Sequence, residues 1–387
     1  MIWRSSLKIL IAACLGWLAW GSFSFGWLQS AALLLPVLWS SAQSRVTAGL
    51  ILMAYTAAAS RGLVLGATEY FDAHLLYGFV LWMAANILPG LVGFICWHQS
   101  SLTRVFLIPL LLMVLIIPPV GLVGWAHPLT GAGWLMPGLG WFGLMLSVLL
   151  VMALAYKAPI RNGLVAIGPV LLLSAALSAP AKTVADWQGH NTSFHFGVGS
   201  SPIRNPLEEI ERHWALQDQV SETDGMTHVF PETVGGLWNE QAQNEWQVFL
   251  KHHENTNVLI GAHLPNQDGS YSNAVIQVTS KVSQIIYKQR LPIPFGMWRP
   301  WTSDTAKPAW LQQPGVSFIS GKPVAFLICY EASLMWPMFH SLLAEPELLI
   351  SMSSTWWAPA SIQISQHHTM TSWANLFSLP LVEAYNL

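Results

Sequence analysis

The sequence predicts an α-helical multi-pass membrane domain, residues 1–180, followed by an α/β domain, residues 181–387. The chain is 53% hydrophobic and only 9% charged, whereas an ordinary soluble domain has about 25% charged residues. The charges are also unevenly placed: residues 1–180 contain seven Lys or Arg and two Asp or Glu, and the rest contain ten and seventeen. We therefore expect the first part to fold in lipid and the second in water.

The first part contains about seven apolar runs bounded by charges, Gly or Pro. A helix needs about 20 apolar residues to cross a bilayer core. The predicted spans lie near residues 9–20, 27–39, 46–59, 74–97, 105–123, 141–156 and 164–179. The first three are short, so the segment from Gly21 to Gly26 is either a turn or the middle of one long span.

Basic residues in the connectors predict the orientation, because Lys and Arg accumulate on the cytoplasmic side. With a cytoplasmic N-terminus, the outer connectors hold only Arg61, beside Glu69 and Asp72, and the cytoplasmic segments hold Arg4, Lys8, Arg45, Arg104, Lys157 and Arg161. Seven spans then place everything after Ala179 outside the cytoplasm. A cleaved signal peptide is the alternative, but the next apolar run follows Trp20 with scarcely a break.

Short strand-like runs alternate with polar helical stretches after Lys182. Predicted strands lie at residues 193–199, 227–232, 257–264, 273–278, 284–289, 324–331 and 347–353, and amphipathic helices at 205–219 and 244–255. Strands that alternate with helices predict an α/β domain with helices outside buried sheets.

Three of the predicted strands end in a reactive residue: Glu232 in "HVFPETVGG", Lys288 in "IIYKQRLPIPFG" and Cys329 in "FLICYE". Strand ends can hold side chains rigidly at the rim of a pocket. Each also has an ordinary explanation: a turn glutamate, a surface lysine and a buried core cysteine, which is the commoner fate of a free cysteine.

The order Glu, Lys, Cys with the local texts "PE", "YK…PxPFG" and "CYE" resembles the nitrilase, or carbon–nitrogen hydrolase, superfamily. With a membrane domain ahead, the chain resembles the apolipoprotein N-acyltransferase branch, and within it the membrane nitrilase-like proteins found with conjugal-transfer genes. The resemblance implies an αββα sandwich, with Cys329 as nucleophile, Glu232 as general base and Lys288 as stabiliser of the tetrahedral intermediate. Supporting roles are also expected for Glu331, which would orient Lys288 or tune its charge, and for Tyr330, which would shape the pocket wall.

The chemistry of these residue types agrees with those roles. A free thiol with a pKa near 8.5 is only a few per cent thiolate at neutral pH, so it needs a base or a positive charge beside it. Glu232 can take the proton. Lys288 and the backbone N–H after Cys329 can stabilise the oxyanion where negative charge develops.

Several positions depart from the family pattern "K-x-H-L-V-P-F-G-E". Lys288 lies one residue further from the "PFG" motif, which makes Arg290 an alternative cation, and Met297 replaces the glutamate after that motif. Trp373 stands where an arginine is expected. The chain stops at Leu387, before the last strands and closing transmembrane helix of the acyltransferases, so we expect a truncated fold or one that a second copy completes.

Three functions follow as hypotheses. The first is an enzyme of the bacterial inner membrane that moves an acyl chain from a phospholipid, through a thioester on Cys329, to the amine of a protein or peptide. The second is an amidase that acts on a small amide. The third is a non-catalytic assembly component that binds other proteins of a conjugation apparatus.

Other classes of function have little support. No cofactor or metal is predicted, because His252, His253 and Glu254, like the pair His367 and His368, lack the i, i+4 spacing of a helical zinc site. The basic residues are too scattered to follow a nucleic-acid backbone.

A cysteine–histidine protease would pair Cys329 with His340 or His367, and no local signature supports it. Cys14 and Cys96 lie in apolar runs, and three cysteines do not make a disulfide framework.

Overall fold

The computed structural model describes residues 2–157, 160–195, 206–223 and 225–387. The chain divides into two compact units. The first comprises Met1–Lys182, Ser333–Trp336 and Trp357–Leu379, and the second comprises Thr183–Ala332, Pro337–Trp356 and Pro380–Leu387. The later part of the chain thus contributes two segments to the first unit, which a single cut after residue 180 does not describe.

The first unit is helical. Its helices are α1 (Ile2–Ala19), α2 (Leu35–Ser40), α3 (Arg45–Ala59), α4 (Gly62–Phe71), α5 (Leu75–Ile95), α6 (Ser101–Ile116), α7 (Ala132–Leu135), α8 (Gly140–Lys157) and α9 (Ile160–Leu177), with 3-10 segments at Gly26–Leu34, Val120–Val123 and Pro128–Gly131. Residues 27–39 were expected to span, but they form a 3-10 segment followed by the six-residue α2, and most of their side chains are buried.

Among the described residues, one helix, α5, is long and apolar enough to cross a bilayer. Two bent pairs also pass the same length and composition test when each pair is taken as one span: α3 with α4, bent by 56°, and Pro128–Leu135 with Gly140–Tyr156, bent by 114°. The structure therefore offers one to three spans by this test, and the predicted seven are not confirmed. Two of the predicted spans are interrupted: residues 27–39 change from a 3-10 segment to α2, and the run 105–123 is divided where α6 ends at Ile116.

The helix Ala360–Phe377 also belongs to the first unit. The hydroxyl of Ser372 donates a hydrogen bond to the carbonyl of Thr130. At Gly133 a Cβ atom would lie 1.8 Å from the Ser372 carbonyl oxygen, so only glycine permits this approach. Trp373, which stands where the acyltransferases have an arginine, is 1% exposed in this unit.

The second unit contains two β-sheets. The first sheet is β1 (Trp187–Gly189), β2 (Thr227–Val229), β3 (Asn257–Pro265), β4 (Tyr271–Val278) and β5 (Ser283–Lys288), in that order. The second is β6 (Ser317–Ile319), β7 (Lys322–Ile328), β8 (Leu348–Ser354) and β9 (Leu381–Asn386). Strands β1, β2 and β3 pair in parallel, as do β7, β8 and β9, and the other pairs are antiparallel. The strand predicted at 193–199 lies mostly outside the described residues.

Two apolar clusters fix which face of the first sheet is which. Helices α10 (Pro206–Ser221) and α11 (Glu240–Leu250) pack on one face, where the buried strand residues include Val258, Ile260, Ala274 and Ile276. The other face packs against the second sheet through residues that include Leu259, Val275, Tyr287, Phe326, Ile328 and Ile350. Successive strand residues point to opposite faces, which explains this alternation. The prediction of an α/β domain with helices outside a buried sheet is confirmed.

Candidate active site

The structure brings Glu232 and Cys329 together. Glu232 lies three residues after the end of β2, and Cys329 directly follows β7; the two residues are 3% and 2% exposed. The Cys329 thiol is hydrogen-bonded to the Glu232 carboxyl group, and its Sγ lies 4.0 Å from the carbonyl oxygen of Ser354 on β8. A thiol next to a buried carboxylate is the arrangement in which the carboxylate can take the thiol proton.

The backbone on both sides of this pair has unusual conformations. Cys329 has a φ of 48° and Thr233 a φ of 64°, both in the left-handed region that costs a non-glycine residue free energy. Strand β3 passes beneath Glu232 at Gly261, where a Cβ atom would lie 2.4 Å from the Pro231 carbonyl oxygen and 2.6 Å from the Glu232 Cα. The glycine is therefore required for the chain to hold Glu232 in place.

Three groups donate hydrogen bonds to the Glu232 carboxyl group: the Cys329 thiol, the Asn273 side chain and the backbone of Ser354. Asn273 Nδ2 donates to Oε1 at 2.6 Å, and the backbone N–H of Ser354 donates to Oε2 at 3.1 Å. Burial raises the pKa of Glu232 to about 7, against the hydrogen bonds from Cys329, Ser354 and Asn273, and nearby Glu331 raises it further. A carboxyl group with a pKa near 7 has both protonation states available at neutral pH, as a general base requires.

Lys288 is not brought to this pair. It pairs with Ala274 across the antiparallel β4 and β5, and residues that pair directly share a sheet face. Ala274 belongs to the helix-side cluster, so Lys288 has the register of the face away from Cys329. The backbone N–H of Lys288 donates a hydrogen bond to Gln313 Oε1 at 3.0 Å.

Gln289 stands in the corresponding place on the face toward Cys329. Its neighbour by alternation, Tyr287, belongs to the cluster between the sheets. The Gln289 side chain is fully buried: Oε1 accepts from Asn273 Nδ2 at 3.1 Å, and Nε2 donates to the carbonyl of Ile328 at 3.0 Å. Two neutral amides, those of Asn273 and Gln289, therefore link the base to the strand that carries the nucleophile.

Arg290, the alternative cation, is wholly buried, and other groups use its charge and its donors. Nε donates to the Tyr287 hydroxyl at 2.8 Å, and Nη2 donates to the Phe326 carbonyl at 3.1 Å and to Ser341 Oγ at 3.0 Å. Nη1 lies 3.1 Å from His340 Nδ1. These partners give Arg290 a structural position.

Glu331 forms an ion pair with Arg290, with 3.7 Å between Oε1 and Nε. It accepts hydrogen bonds from the backbone N–H groups of Ile328 at 2.9 Å, Arg290 at 2.6 Å and Leu291 at 3.2 Å, and from the Tyr287 hydroxyl at 2.8 Å. Burial raises the pKa of Glu331, and Arg290 opposes this. Glu331 thus fixes the chain immediately before Cys329. Its cationic partner is Arg290, whereas the sequence predicted that it would orient Lys288.

The remaining predicted positions lie as follows. Met297 is 4% exposed, and half-buried Tyr330 follows Cys329 in a 3-10 turn, Cys329–Ser333. Cys14 is exposed and Cys96 is half-buried. Within residues 2–157, 160–195, 206–223 and 225–387, no group of three or more His, Cys, Asp or Glu side chains could hold a metal ion.

Sequence reasoning missed Gln289 and Asn273. Two signals could have found Gln289: strand alternation from buried Tyr287, and an ungapped count back from the "PFG" motif, which places the family lysine at 289 and not at Lys288. Asn273 lies inside an apolar strand and carries no local signature. It is identified only when β4 is paired with β3 and β5.

Comparisons with known proteins identify relatives along nearly the whole chain. No protein-family model matches. "Probable conjugal transfer protein TraB" of Sinorhizobium fredii is 33% identical over 389 residues, covering 98% of this chain and 97% of that protein. "Conjugal transfer protein TraB" of Agrobacterium fabrum is 32% identical over 411 residues, covering 99% and 93%.

Solved structures similar to part of the chain come from the nitrilase superfamily. A carbon–nitrogen hydrolase from Helicobacter pylori G27 is 13% identical, with a TM-score of 0.36, and the match covers 50% of this chain and 72% of that one. An amidase mutant from Nesterenkonia sp. AN1 in complex with butyramide is 12% identical, with a TM-score of 0.39 and coverage of 52% and 75%. Since the two full-length relatives exceed 30% identity, the chain belongs to the TraB family of conjugal transfer proteins.

Proposed function

We propose that this protein is a membrane-bound enzyme of conjugal transfer that moves an acyl group through a thioester on Cys329. The observation that supports the proposal best is the hydrogen bond between the Cys329 thiol and the Glu232 carboxyl group in a buried site. A buried thiol that only packed would not need a carboxylate whose pKa is raised to about 7 beside it.

The proposed reaction has two steps. Glu232 takes the thiol proton as Sγ attacks the acyl carbonyl, and the bond to the leaving alcohol breaks as that alcohol takes the proton. An amine then attacks the thioester and releases the thiol. The donor in this proposal is a phospholipid and the acceptor a protein or peptide amine, so the site needs access to lipid.

The proposed site also needs a hydrogen-bond donor that stabilises the oxyanion. Lys288 in this role stays a prediction that a variant must test, because its register is that of the helix side of the sheet. Gln289 Nε2 uses one N–H on the Ile328 carbonyl, and an amide nitrogen has a second N–H to offer. Neutral amide donors serve in oxyanion holes of other enzymes.

The membrane arrangement is also a proposal. We propose a multi-pass domain, residues 1–180, in the bacterial inner membrane, with a cytoplasmic N-terminus and the nitrilase-like domain, 181–387, on the outer side. The support is the Lys and Arg bias of the connectors and the apolar helix α5. Alkaline phosphatase fused after Leu387 should be active, and activity of a cytoplasmic reporter at that point would contradict the orientation.

A second candidate function, a non-catalytic assembly component of the conjugation apparatus, is favoured by one observation. Gln289 and Met297 are uncharged where the resembled family has a lysine and a glutamate. Plasmid transfer separates the two: an enzyme requires Cys329→Ala to be as defective as deletion of the protein, with the variant present at wild-type level. Transfer at the wild-type frequency in Cys329→Ala cells would support the assembly role.

A further inference from the structure

Two buried side chains in this part of the sheet carry polar atoms that form no hydrogen bond with any described residue. His263 is 3% exposed and Asn273 is 1% exposed. Within the part of the chain that the structure describes, neither ring nitrogen of His263 has a hydrogen-bond partner, and neither has Oδ1 of Asn273. A buried polar group left unpaired costs about 1–3 kcal/mol. Three such atoms in one place indicate a polar group of a ligand.

The two residues form one surface next to the base. His263 on β3 pairs directly with Asn273 on β4, so their side chains share a sheet face. By alternation this is the face of Leu259 and Val275, which packs toward the sheet that carries Cys329. Asn273 Nδ2 donates to Glu232 Oε1 at 2.6 Å. The unpaired atoms are thus one side chain away from the base.

The hydrogen-bonding capacity of this surface specifies the ligand. Asn273 uses its two amide hydrogens on Glu232 and Gln289, which leaves the acceptor Oδ1. Burial, and then the charge of Arg212, lower the pKa of His263 to about 4, so at neutral pH its ring offers one lone pair and one N–H.

With the Glu232 carboxylate, three acceptors are available to one ligand group. A primary amine has two N–H bonds, or three when protonated, whereas a water molecule or a carboxamide nitrogen has two. Only a protonated amine can donate to all three acceptors, so the acceptor set favours an amine that binds as the ammonium ion.

We propose that His263 and Asn273 bind the acyl acceptor, and that this acceptor is a primary amine; the inference rests on the proposed acyl transfer. The bound ammonium gives one proton to solvent, the neutral nitrogen attacks the thioester carbonyl carbon, and a C–N bond forms while the C–S bond breaks. Glu232 takes a proton from the nitrogen and passes it to the departing Sγ. The products are an amide and the free Cys329 thiol, so no other reactant is required.

Binding can be tested without turnover. We would titrate the Cys329→Ala protein, labelled with 13C at histidine Cε1, with methylamine and in parallel with acetamide. The His263 resonance, assigned by its loss in His263→Phe and in His263→Gln, should shift saturably with methylamine. The His252→Phe protein carries the same change at an exposed histidine and should retain the shift. No shift of the His263 resonance, or an equal affinity for acetamide, would overturn the proposal.

Partition of the acyl-enzyme provides the second measurement. With a fluorescent acyl donor, the wild-type protein divides between transfer to methylamine and hydrolysis. The ratio of transfer to hydrolysis should fall about tenfold or more in His263→Phe, because a hydrogen bond to a charged group is lost. An unchanged ratio, or loss of hydrolysis alone, would assign the surface to water and refute an amine site. If the wild type forms no acyl-enzyme, the proposed function fails, and the titration alone decides the binding site.

Discussion

Two buried carboxyl groups flank the nucleophile strand, and their surroundings differ. Glu331 is fully buried beside the Arg290 guanidinium and accepts three backbone N–H groups and a tyrosine hydroxyl. Glu232 is equally buried but accepts hydrogen bonds from a thiol, one amide and one backbone N–H. None of the described groups that shift its pKa is a cation. A carboxylate matched by a buried cation serves structure, whereas one left without a cation is free to exchange a proton.

The largest expected effect is on the chemistry of the unmatched group. Glu232→Gln keeps the shape of the side chain but removes the base, so acylation of Cys329 should slow by roughly 10²–10⁴-fold. The acylation rate is measured by stopping the incubation at successive times and determining the fraction of acylated protein by mass spectrometry. Glu331→Gln should lower the unfolding temperature while its surviving folded fraction acylates faster than Glu232→Gln; the reverse order would contradict the comparison.

Removal of the matched cation should cost stability. Arg290→Met leaves Glu331 buried without its partner, and breaking one member of a buried pair costs about 3–5 kcal/mol. Urea unfolding of the detergent-solubilised protein gives the value. The control is Arg299→Met, whose ion pair with Asp304 is exposed on both sides and should contribute about 0–1 kcal/mol. Equal losses in the two variants would mean that the buried pair has no special weight.

The unmatched carboxyl group should also make stability depend on pH. Its pKa is raised from 4.5 to about 7 on folding, so the folded state holds a proton that the unfolded state has released. This contribution is fully present below about pH 4.5 and is lost as the pH rises through 7. Wild type should therefore lose stability relative to Glu232→Gln over this range, by up to about 3 kcal/mol. Parallel stability curves for the two proteins would show that the pKa is not raised.

The smallest expected effect concerns a cation introduced beside the thiol. Gln289→Lys places an ammonium group beside Cys329, which should lower the thiol pKa and speed alkylation by iodoacetamide at pH 7 by about tenfold. The matched change is Lys288→Ala on the other face of the same strand, expected to alter the rate less than twofold by the same register argument. A large loss of alkylation rate in Lys288→Ala would restore Lys288 to the active site.

Some of this arrangement could be predicted from sequence. Glu232 and Cys329 were identified because each ends an apolar strand, and strand ends are fixed by local pattern. Lys288 stays a prediction that rests on its charge and the family pattern, whereas strand alternation from Tyr287 gives Gln289 the position that faces Cys329. Asn273 and His263 depend on the pairing of β3 with β4, which no local pattern reveals. The seven predicted spans are not confirmed, and hydropathy does not show where an apolar run is interrupted, as it is after Ile116.

The most direct measurement of the central claim is the intact mass of the purified protein after incubation with phospholipid. The account predicts a mass increase equal to one acyl chain, located on Cys329, removed by hydroxylamine as thioesters are, and missing from Cys329→Ala. It also predicts slower accumulation in Glu232→Gln. A wild-type protein of unchanged mass under conditions where plasmid transfer proceeds, or an adduct on Cys14 or Cys96, would contradict it.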